Sequence, residues 1–425
     1  MSRGSRSSKV SNVLVVGSGG REHAIAWKIL QSRLLGKLYI AQGNGGTEEF
    51  NIPNRADDLK GLAEFAKTHD CFTVVGPEAP LAAGIVDLFA KEGLPIFGPT
   101  MSEARLETSK AFAKEFMSTH GIPTTEFRVF SESQQAIDYA CRLDGKVAIK
   151  ADGLASGKGV FVCSSTEESE HAIRLILERN AFGESGKKIV VEKKIEGKEC
   201  SLMTICDGTR AFPFGTARDH KRAIDGDRGP NTGGMGAFSP ASNLLDSVSA
   251  RVVIDEIANP VVKASGFHGF LYLGLMLTKQ GPQVLEFNAR LGDPEAQAIL
   301  PRLQSDLLEV LLCVQCEESV GVELKWNNLR STAVIMCSEG YPQNPVTGDA
   351  ISGIDNAATL ENVLVFHSGT IRKGGKLLTN GGRVLGVTGL GKTMPEASRR
   401  AYEGVSKISW RGEHHRSDIG VSNGA

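Results

Sequence analysis

Two lysines frame a glycine-rich segment in the middle of the chain. Lys150 ends an apolar run, and Lys158 follows within the sequence KADGLASGKG. Glycines let the backbone approach a ligand closely and present its N–H groups, and lysines add positive charge. A plain glycine-rich turn between two strands is the alternative, but the lysines and a serine favour a phosphate site. The residues expected to contact phosphates here are Lys150, Gly153, Ser156, Gly157, Lys158 and Gly159.

A second candidate site lies in residues 284–290, which read VLEFNAR. The two-residue period of a strand puts Glu286 and Asn288 on the same face. Two oxygen ligands on one face suit Mg²⁺ shared with nucleotide phosphates. Polar alternation on a half-buried strand is the alternative. The segment GDPE at 292–295 is dense in acids and turn residues, which favours a functional site.

Two glutamates flank a turn between these segments. Glu192 ends an apolar strand, and Glu199 follows beyond Gly197. Acids beside a turn are often simply solvated. Here they lie next to the phosphate-site candidate, where an adenine amino group and ribose hydroxyls would need hydrogen-bond acceptors.

Residues 219–236 read DHKRAIDGDRGPNTGGMG, basic at first and then rich in glycine. A surface Ω-loop is the alternative. The size of the segment and its mixture of small and basic residues favour an active-site loop. Its candidate substrate-binding residues are Asp219, Asn231, Thr232, Gly233 and Gly234.

Near the N-terminus, GSGGRE at residues 17–22 follows a strand and opens a helix, like the start of a dinucleotide-binding fingerprint. However, Glu22 takes the third glycine position, and the second strand ends in AQG without the acid that a nicotinamide ribose requires. A glycine loop at a helix N-terminus remains, which is a general anion site, and Arg21 suits a phosphate monoester.

Residues 386–393 satisfy the spacing of a Walker A motif. A P-loop requires the helix to begin at its lysine, whereas Thr393 and Glu396 form a capping-box pattern. We therefore predict that the helix begins after Thr393, that Lys392 lies outside it, and that this match is not a P-loop.

The composition is that of a globular protein without a polyanion-binding surface. Among 425 residues there are 48 Lys plus Arg and 49 Asp plus Glu, a formal net charge of -1, so a nucleic-acid partner is not favoured. No apolar run reaches the ~18 residues of a membrane span. Eight cysteines at irregular spacing indicate reduced thiols and a cytoplasmic location. We expect Cys313 and Cys316 to be two core thiols one helical turn apart.

The order of predicted elements indicates an α/β and α+β protein of several domains. Residues 1–11 are expected to be a disordered tail, and 12–108 alternate strands and helices, which predicts a parallel sheet. Residues 109–328 predict an antiparallel α+β body with a mobile lid at about 125–206. Residues 329–425 predict a small β-rich domain.

Taken together, these motifs resemble the phosphoribosylamine–glycine ligase family of the ATP-grasp superfamily. The matching segments are VLVVGSGGREHAIAWK, AQGNGGTEEF, KADGLASGKGVFV, DHKRAIDGDRGPNTGGMGAFSP, LEFNARLGDPEAQ and TNGGRVLGVTGLG. They follow the family order from about residue 12 to residue 420. The resemblance implies a parallel-sheet N-terminal domain, an ATP-grasp body with a lid, and a small C-terminal domain.

The resemblance also implies roles for individual residues. ATP phosphates would be contacted by Lys110 and Lys150, adenine by Glu192 and the backbone of Ile195, and ribose by Glu199. Mg²⁺ or Mn²⁺ would be held by Glu286 and Asn288. These would be the only two protein ligands, because the preceding strand reads LGLM and offers no third acid. The implied catalytic residues are Arg290, Lys150 and Asp293. The implied substrate-binding residues, besides Arg290 and the loop residues named above, are Gly19, Gly20, Arg21, Glu22, Asn44, Gly46, Thr47 and Glu78.

The implied reaction joins glycine to 5-phosphoribosylamine at the expense of ATP, through a glycyl phosphate. The expected partners are these small molecules, with no nucleic acid or membrane, and the protein is expected to be a monomer or a weak homodimer. Three alternatives remain open: another ATP-grasp ligase acting on a different ribotide, a non-catalytic nucleotide sensor, and a dehydrogenase. Glycine-dependent turnover separates the first two from the main hypothesis, and failure to bind a nicotinamide cofactor disposes of the third.

Overall fold

A computed structural model describes residues 10–154, 159–179, 181–316 and 324–421. The first layer is a five-stranded parallel sheet in the order β3-β2-β1-β4-β5. Its strands are β1 (Ser11–Gly17), β2 (Leu35–Gln42), β3 (Asn51–Ile52), β4 (Cys71–Val75) and β5 (Ile96–Phe97). Its helices are α1 (Gly20–Ile29), α2 (Leu59–Thr68), α3 (Glu78–Ala82) and α4 (Ile85–Lys91). The predicted parallel sheet is confirmed, although Ser11, which was assigned to the tail, begins β1 because it pairs with Leu35.

Two helices, α5 (Met101–Thr108) and α6 (Lys110–Thr119), lead to a smaller antiparallel sheet in the order β6-β9-β7-β8. Its elements are β6 (Phe127–Phe130), α7 (Ser133–Arg142), β7 (Val147–Ala151), β8 (Val160–Val162), α8 (Thr166–Leu177) and β9 (Ile189–Lys193). Helices α7 and α8 pack on this sheet around a separate apolar core that includes Val147, Ile149, Ile173 and Val191. Ser156, Gly157 and Lys158 lie outside the described residues.

The largest sheet has eight strands in the order β16-β15-β10-β11-β14-β17-β21-β18. These strands are β10 (Lys198–Asp207), β11 (Ala211–Asp219), β14 (Gly236–Ser239), β15 (His268–Thr278), β16 (Gly281–Asn288), β17 (Arg330–Cys337), β18 (Val363–His367) and β21 (Arg383–Gly391). Strands β15 and β16 form an antiparallel hairpin, in which Thr278 pairs with Gly281. Pairing of β14 with β17 makes the C-terminal strands continuous with those of the central body.

The remaining elements cover this sheet or project from it. The short ribbons are β12 (Arg222–Ile224) with β13 (Arg228–Asn231), and β19 (Thr370–Lys373) with β20 (Lys376–Thr379). The helices are α9 (Ser247–Val253), α10 (Asn259–Ser265), α11 (Glu295–Ile299), α12 (Leu307–Gln315), α13 (Ile354–Ala358) and α14 (Met394–Val405). In the described part of the chain, no helix has both the length and the apolarity needed to cross a bilayer.

The C-terminal helix confirms the rejection of the Walker A match. Thr393 is the N-cap of α14, and its hydroxyl accepts a hydrogen bond from the N–H of Glu396 at 3.3 Å. Lys392 therefore precedes the helix and cannot serve as a P-loop lysine.

The cysteine pair departs from expectation. Cys316 is exposed and Cys313 is partly exposed, so the prediction of two core thiols is wrong. Helix α12 buries Leu307, Leu311 and Val314 on one face. Because a helix turns about 100° per residue, the positions of the two cysteines fall away from that face.

Candidate active site

One large cavity, of about 800 Å³, lies where the three sheets approach one another. Residues from the N-terminal sheet, the small antiparallel sheet and the large sheet all line it. The predicted site residues in its wall are Arg21, Glu78, Lys110, Lys150, Gly153, Gly159, Glu192, Ile195, Glu199, Asp219, Asn231, Thr232, Gly233, Glu286, Asn288, Arg290 and Asp293. The fold thus brings together predicted site residues that are up to 272 positions apart, counting from Arg21 to Asp293.

At one end of the cavity, a buried carboxylate joins two lysines. Glu192 is only 1% exposed, and its oxygens lie 2.7 Å from Lys150 Nζ and 2.8 Å from Lys114 Nζ. Burial alone would raise the pKa of Glu192, but the charges of Lys150 and Lys114 outweigh it and lower that pKa. Burial lowers the pKa of Lys114 to about 8. The ammonium of Lys150 also donates to the carbonyl of Leu285 at 2.9 Å.

The start of α6 holds the glycine-rich segment against the same wall. Lys110 Nζ donates to the carbonyl of Gly153 at 2.9 Å. The carboxylate of Asp152 accepts from the Ser109 hydroxyl and from the Ala111 N–H, both at 2.9 Å. These bonds hold the first turn of α6 next to the described part of the glycine-rich segment. The Lys110 ammonium lies between the two.

The predicted oxygen pair lies on β16 and faces the cavity. Glu286 Oε1 lies 3.5 Å from Lys221 Nζ, and Asn288 Oδ1 accepts a hydrogen bond from Arg290 at 3.2 Å. Burial raises the pKa of Glu286, but the charges of Lys221, Lys150 and Lys110 lower it to about 2. Glu286 is therefore ionised at neutral pH. Across the described residues, no group of three or more His, Cys, Asp or Glu side chains is arranged to hold a metal by itself.

Beyond β16, a partly buried guanidinium connects two glutamates. Arg290 lies 2.7 Å from Glu107 Oε1 and 3.2 Å from Glu78 Oε2. Burial raises the pKa of Glu78, but Arg290 and Arg21 lower it to about 2. Glu107 also accepts from the N–H of Ala289 at 2.7 Å. These contacts fix the orientation of Arg290 in the cavity wall.

A C-terminal arginine closes another part of the wall. Arg383, at the start of β21, pairs with Asp293 Oδ2 at 3.0 Å and donates to the Asp293 carbonyl at 2.7 Å. The same guanidinium donates to the carbonyl of Gly233. It therefore ties the glycine-rich loop to the segment that follows Arg290.

The predicted N-terminal residues divide into two groups. Arg21 reaches the cavity and donates to the carbonyl of Leu291 at 3.1 Å. Glu22 instead accepts from the N–H of Gly19 at 2.6 Å, and Asn44 donates to the carbonyl of His367 at 2.8 Å. The predicted residues outside the cavity wall are Gly19, Gly20, Glu22, Asn44, Gly46, Thr47 and Gly234.

Several charged residues of the cavity wall had not been assigned a role from the sequence. Four of them make the contacts described above: Glu107, Lys114, Lys221 and Arg383. Lys221 had a signal, since it lies in the basic part of the 219–236 loop. Glu107 and Lys114 lie on helices with ordinary polar patterns, and Arg383 lies 90 positions after Asp293, so no local pattern marks them.

The fold and this site define an ATP-grasp ligase. The structure matches that of phosphoribosylamine–glycine ligase from Thermotoga maritima with a TM-score of 0.80 and 34% identity, over 96% of this chain and 99% of that chain. The biotin carboxylase domain of Hydrogenobacter thermophilus 2-oxoglutarate carboxylase has the same fold, with a TM-score of 0.71 and 16% identity over 95% of this chain and 91% of that one.

Sequence comparison identifies the family. Residues 11–107, 108–296 and 331–422 match the N domain, the ATP-grasp (A) domain and the C domain of phosphoribosylglycinamide synthetase. Phosphoribosylamine–glycine ligase of Xylella fastidiosa is 48% identical over 96% of this chain and 97% of its own length. The enzyme of Pseudomonas aeruginosa is 45% identical with the same coverage. The chain belongs to the phosphoribosylglycinamide synthetase family.

Proposed function

We propose that this chain joins glycine to 5-phosphoribosylamine, using ATP, and forms glycinamide ribonucleotide, ADP and phosphate in purine biosynthesis. One observation carries the proposal beyond family membership. A single cavity gathers Lys110, Lys150, an ionised Glu286, Asn288 and Arg290, which are the charges and oxygen ligands that phosphoryl transfer requires.

Lys110 and Lys150 are the proposed ligands of the ATP phosphates, together with the glycine-rich segment that Lys110 contacts through Gly153. We assign adenine to the backbone of Ile195 and ribose to Glu199, both in the cavity wall. Glu192 has a different proposed role from the one that the resemblance implies. Since its carboxylate lies between two ammonium groups, it positions Lys150 rather than accepting from adenine.

Glu286 and Asn288 are the proposed protein ligands of Mg²⁺ or Mn²⁺. A carboxylate kept ionised and an amide oxygen on one strand face fit a hard cation that completes its coordination with phosphate oxygens and water. When bound, such a cation neutralises phosphate charge during transfer. Lys221, which lies 3.5 Å from Glu286, would have to share this carboxylate with the cation.

In the first proposed step, a glycine carboxylate oxygen attacks the γ-phosphorus of ATP, and ADP leaves. Arg290, held by Glu78 and Glu107, is oriented to stabilise the charge on the transferring group. In the second step, the amine of phosphoribosylamine attacks the carbonyl carbon of glycyl phosphate. Phosphate leaves, the nitrogen loses a proton, and the amide forms.

The second substrate and water exclusion involve the remaining predicted residues. Arg21, with Gly19 and Gly20 beside it, is the proposed site of the phosphoribosylamine phosphate. Asp293 and residues 231–233 complete the cavity wall near Arg383. An acyl phosphate hydrolyses when water reaches it, so we propose that the region 125–206 closes as a lid.

The proposed domains of the chain are residues 12–108, 109–328 and 329–425.

The decisive experiment measures ADP release from the purified protein with Mg-ATP while glycine and phosphoribosylamine are omitted in turn. We expect full turnover only with both substrates present. Turnover that ignores glycine and requires another ribotide would overturn the substrate assignment and leave the ATP-grasp class intact. ATP binding without turnover under any condition would overturn the enzymatic proposal.

A further inference from the structure

An arginine near the C-terminus is buried among acceptors, although it does not line the cavity. Arg416 is only 1% exposed. Its Nε and Nη2 atoms donate to the two carboxylate oxygens of Asp418, each at 2.7 Å. Its Nη1 atom donates to Asp227 Oδ1 at 2.8 Å and to the carbonyl of Arg222 at 3.1 Å. The guanidinium therefore joins the C-terminal segment, residues 414–418, to the β12–β13 ribbon.

Further contacts hold the ribbon to the same segment. The N–H of Ser417 donates to Asp225 Oδ1 at 2.9 Å, and the Ser417 hydroxyl donates to the other oxygen of that carboxylate. The N–H of Gly226 donates to Asp418 Oδ2 at 2.9 Å. Burial raises the pKa of Asp418, but hydrogen bonds from Arg416 and Gly226 lower it to about 2, so this carboxylate is charged at neutral pH. A two-stranded ribbon is marginally stable by itself, so these contacts fix its position.

The ribbon transmits this constraint to the small antiparallel sheet. Arg222, whose carbonyl accepts from Arg416, is the strand partner of Asn231. The side-chain amide of Asn231 donates to the carbonyl of Val160 at 3.1 Å. Val160 is in turn the strand partner of Lys150, the proposed phosphate ligand. A short series of contacts therefore connects Arg416 with the phosphate end of the cavity.

We propose that Arg416 is a positioning residue for nucleotide binding, which fixes the β12–β13 ribbon so that Asn231 holds strand β8 in place. This inference rests on the proposed ATP site and adds a residue that does not touch the nucleotide. Strand β8 lies at the edge of its sheet, next to β7. An edge strand has backbone groups that no neighbouring strand pairs, and Asn231 supplies a partner there. When the ribbon shifts, β8 loses this contact, and the backbone beside Lys150 is held less firmly.

The first test compares two arginines of the C-terminal region. Arg416→Lys keeps the charge but cannot reproduce the planar contacts with Asp418, Asp227 and Arg222. We expect the Kd of a non-hydrolysable ATP analogue to rise by about fivefold in this variant. Arg411→Lys is the matched control, because the exposed Arg411 pairs at 2.9 Å with Asp349 instead of with the ribbon. Its Kd should change by less than about twofold. An unchanged Kd in Arg416→Lys overturns the proposal.

A double-mutant cycle with Asn231→Ala separates action through the ribbon from a general structural role. If Arg416 acts through Asn231, the double variant should bind the analogue about as weakly as Asn231→Ala alone, because both changes remove the same contact with Val160. Two independent effects would instead multiply. Multiplied changes in Kd therefore show that Arg416 does not act through Asn231.

A milder substitution keeps the test available if Arg416→Lys does not fold. Asp225→Ala removes the ribbon's acceptor for Ser417, at a partly exposed position outside the cavity wall. We expect the Kd of the analogue to rise by about threefold in this variant and to show no further rise in the Asn231→Ala background. No rise, or the same rise in both backgrounds, overturns the proposal. These measurements need no turnover, so they decide the role of Arg416 separately from the ligase reaction. Failure of the wild-type protein to bind the analogue would refute the proposed ATP site itself.

Discussion

The carboxylate of Glu192 lies 2.7 Å from the ammonium group of Lys150, on neighbouring strands of the small antiparallel sheet. The same carboxylate meets Lys114 of α6 at 2.8 Å. One buried acid therefore fixes two lysines that come from different elements. This arrangement links the small sheet to the helix that carries Lys110, and both contribute to the proposed phosphate site.

Substituting Glu192 by Gln should impair both folding and nucleotide binding. Breaking a buried ion pair by removing one charge costs about 3–5 kcal/mol, because the remaining charges are left uncompensated. We expect a loss of free energy of unfolding of that order, measured by urea titration, and at least about a tenfold higher KM for ATP. Glu170→Gln, which removes an exposed partner of Arg174 on α8, is the matched control. Equal stability of the two variants would refute the proposed role.

Removing the charge of Glu286 should weaken the proposed cation site. In Glu286→Gln we expect ADP formation to fall by about 100-fold, because fixed charge at the transferring phosphate is lost. The concentration of Mg²⁺ that gives half-maximal rate should rise at the same time. Lys150 and Lys110 remain in place, so ATP binding without metal should persist. A variant with the wild-type dependence on Mg²⁺ would show that Glu286 is not a ligand.

Arg383 is expected to act on the site through its contacts rather than on the substrates. Arg383→Lys keeps the charge but cannot bond to Gly233 and to both acceptors of Asp293 in the same planar geometry. We expect kcat/KM for glycine to fall by about 10–100-fold while the thermal midpoint falls only slightly. The exposed Arg399→Lys on α14 serves as the comparison. A large loss of thermal stability without a change in kcat/KM would indicate a purely structural residue.

A pair of buried histidines should make stability sensitive to acid. His23 Nδ1 accepts a hydrogen bond from the N–H of His367 at 2.9 Å, which joins the N-terminal and C-terminal regions. Burial lowers the pKa of His23 to about 4 and that of His367 to about 3. A pKa below the unfolded value of 6.5 means that the stabilisation is complete above that value and is lost as pH falls toward the folded pKa.

When the pH falls from about 7 to about 5, the effect of His23 alone should therefore lower the free energy of unfolding by about 2 kcal/mol. His23→Asn retains an acceptor near the Nδ1 position but cannot be protonated in this range. The free energy of unfolding of this variant should therefore fall less over the same pH interval. Urea titrations of both proteins at the two pH values provide the measurement. Parallel pH profiles would exclude His23 as a contributor.

Local patterns in the sequence were sufficient for several features. The two-residue period of a strand predicted that Glu286 and Asn288 share a face, and both line the cavity. The capping pattern at Thr393 predicted the start of α14 correctly. The alternation of strands and helices predicted the parallel N-terminal sheet. These features depend on residues within a few positions of one another, where backbone geometry and hydrophobic period act directly.

Only the tertiary structure decided which charges meet. The pairing of Glu192 with Lys114, the contact of Arg383 with Asp293, and the approach of Asp219 to Glu295 join residues 76 to 90 positions apart. The sequence determined the family, the strand faces and the set of reactive side chains, because those depend on residue type and local order. The fold decided their partners and burial, because Coulomb interactions and desolvation depend on distance in space.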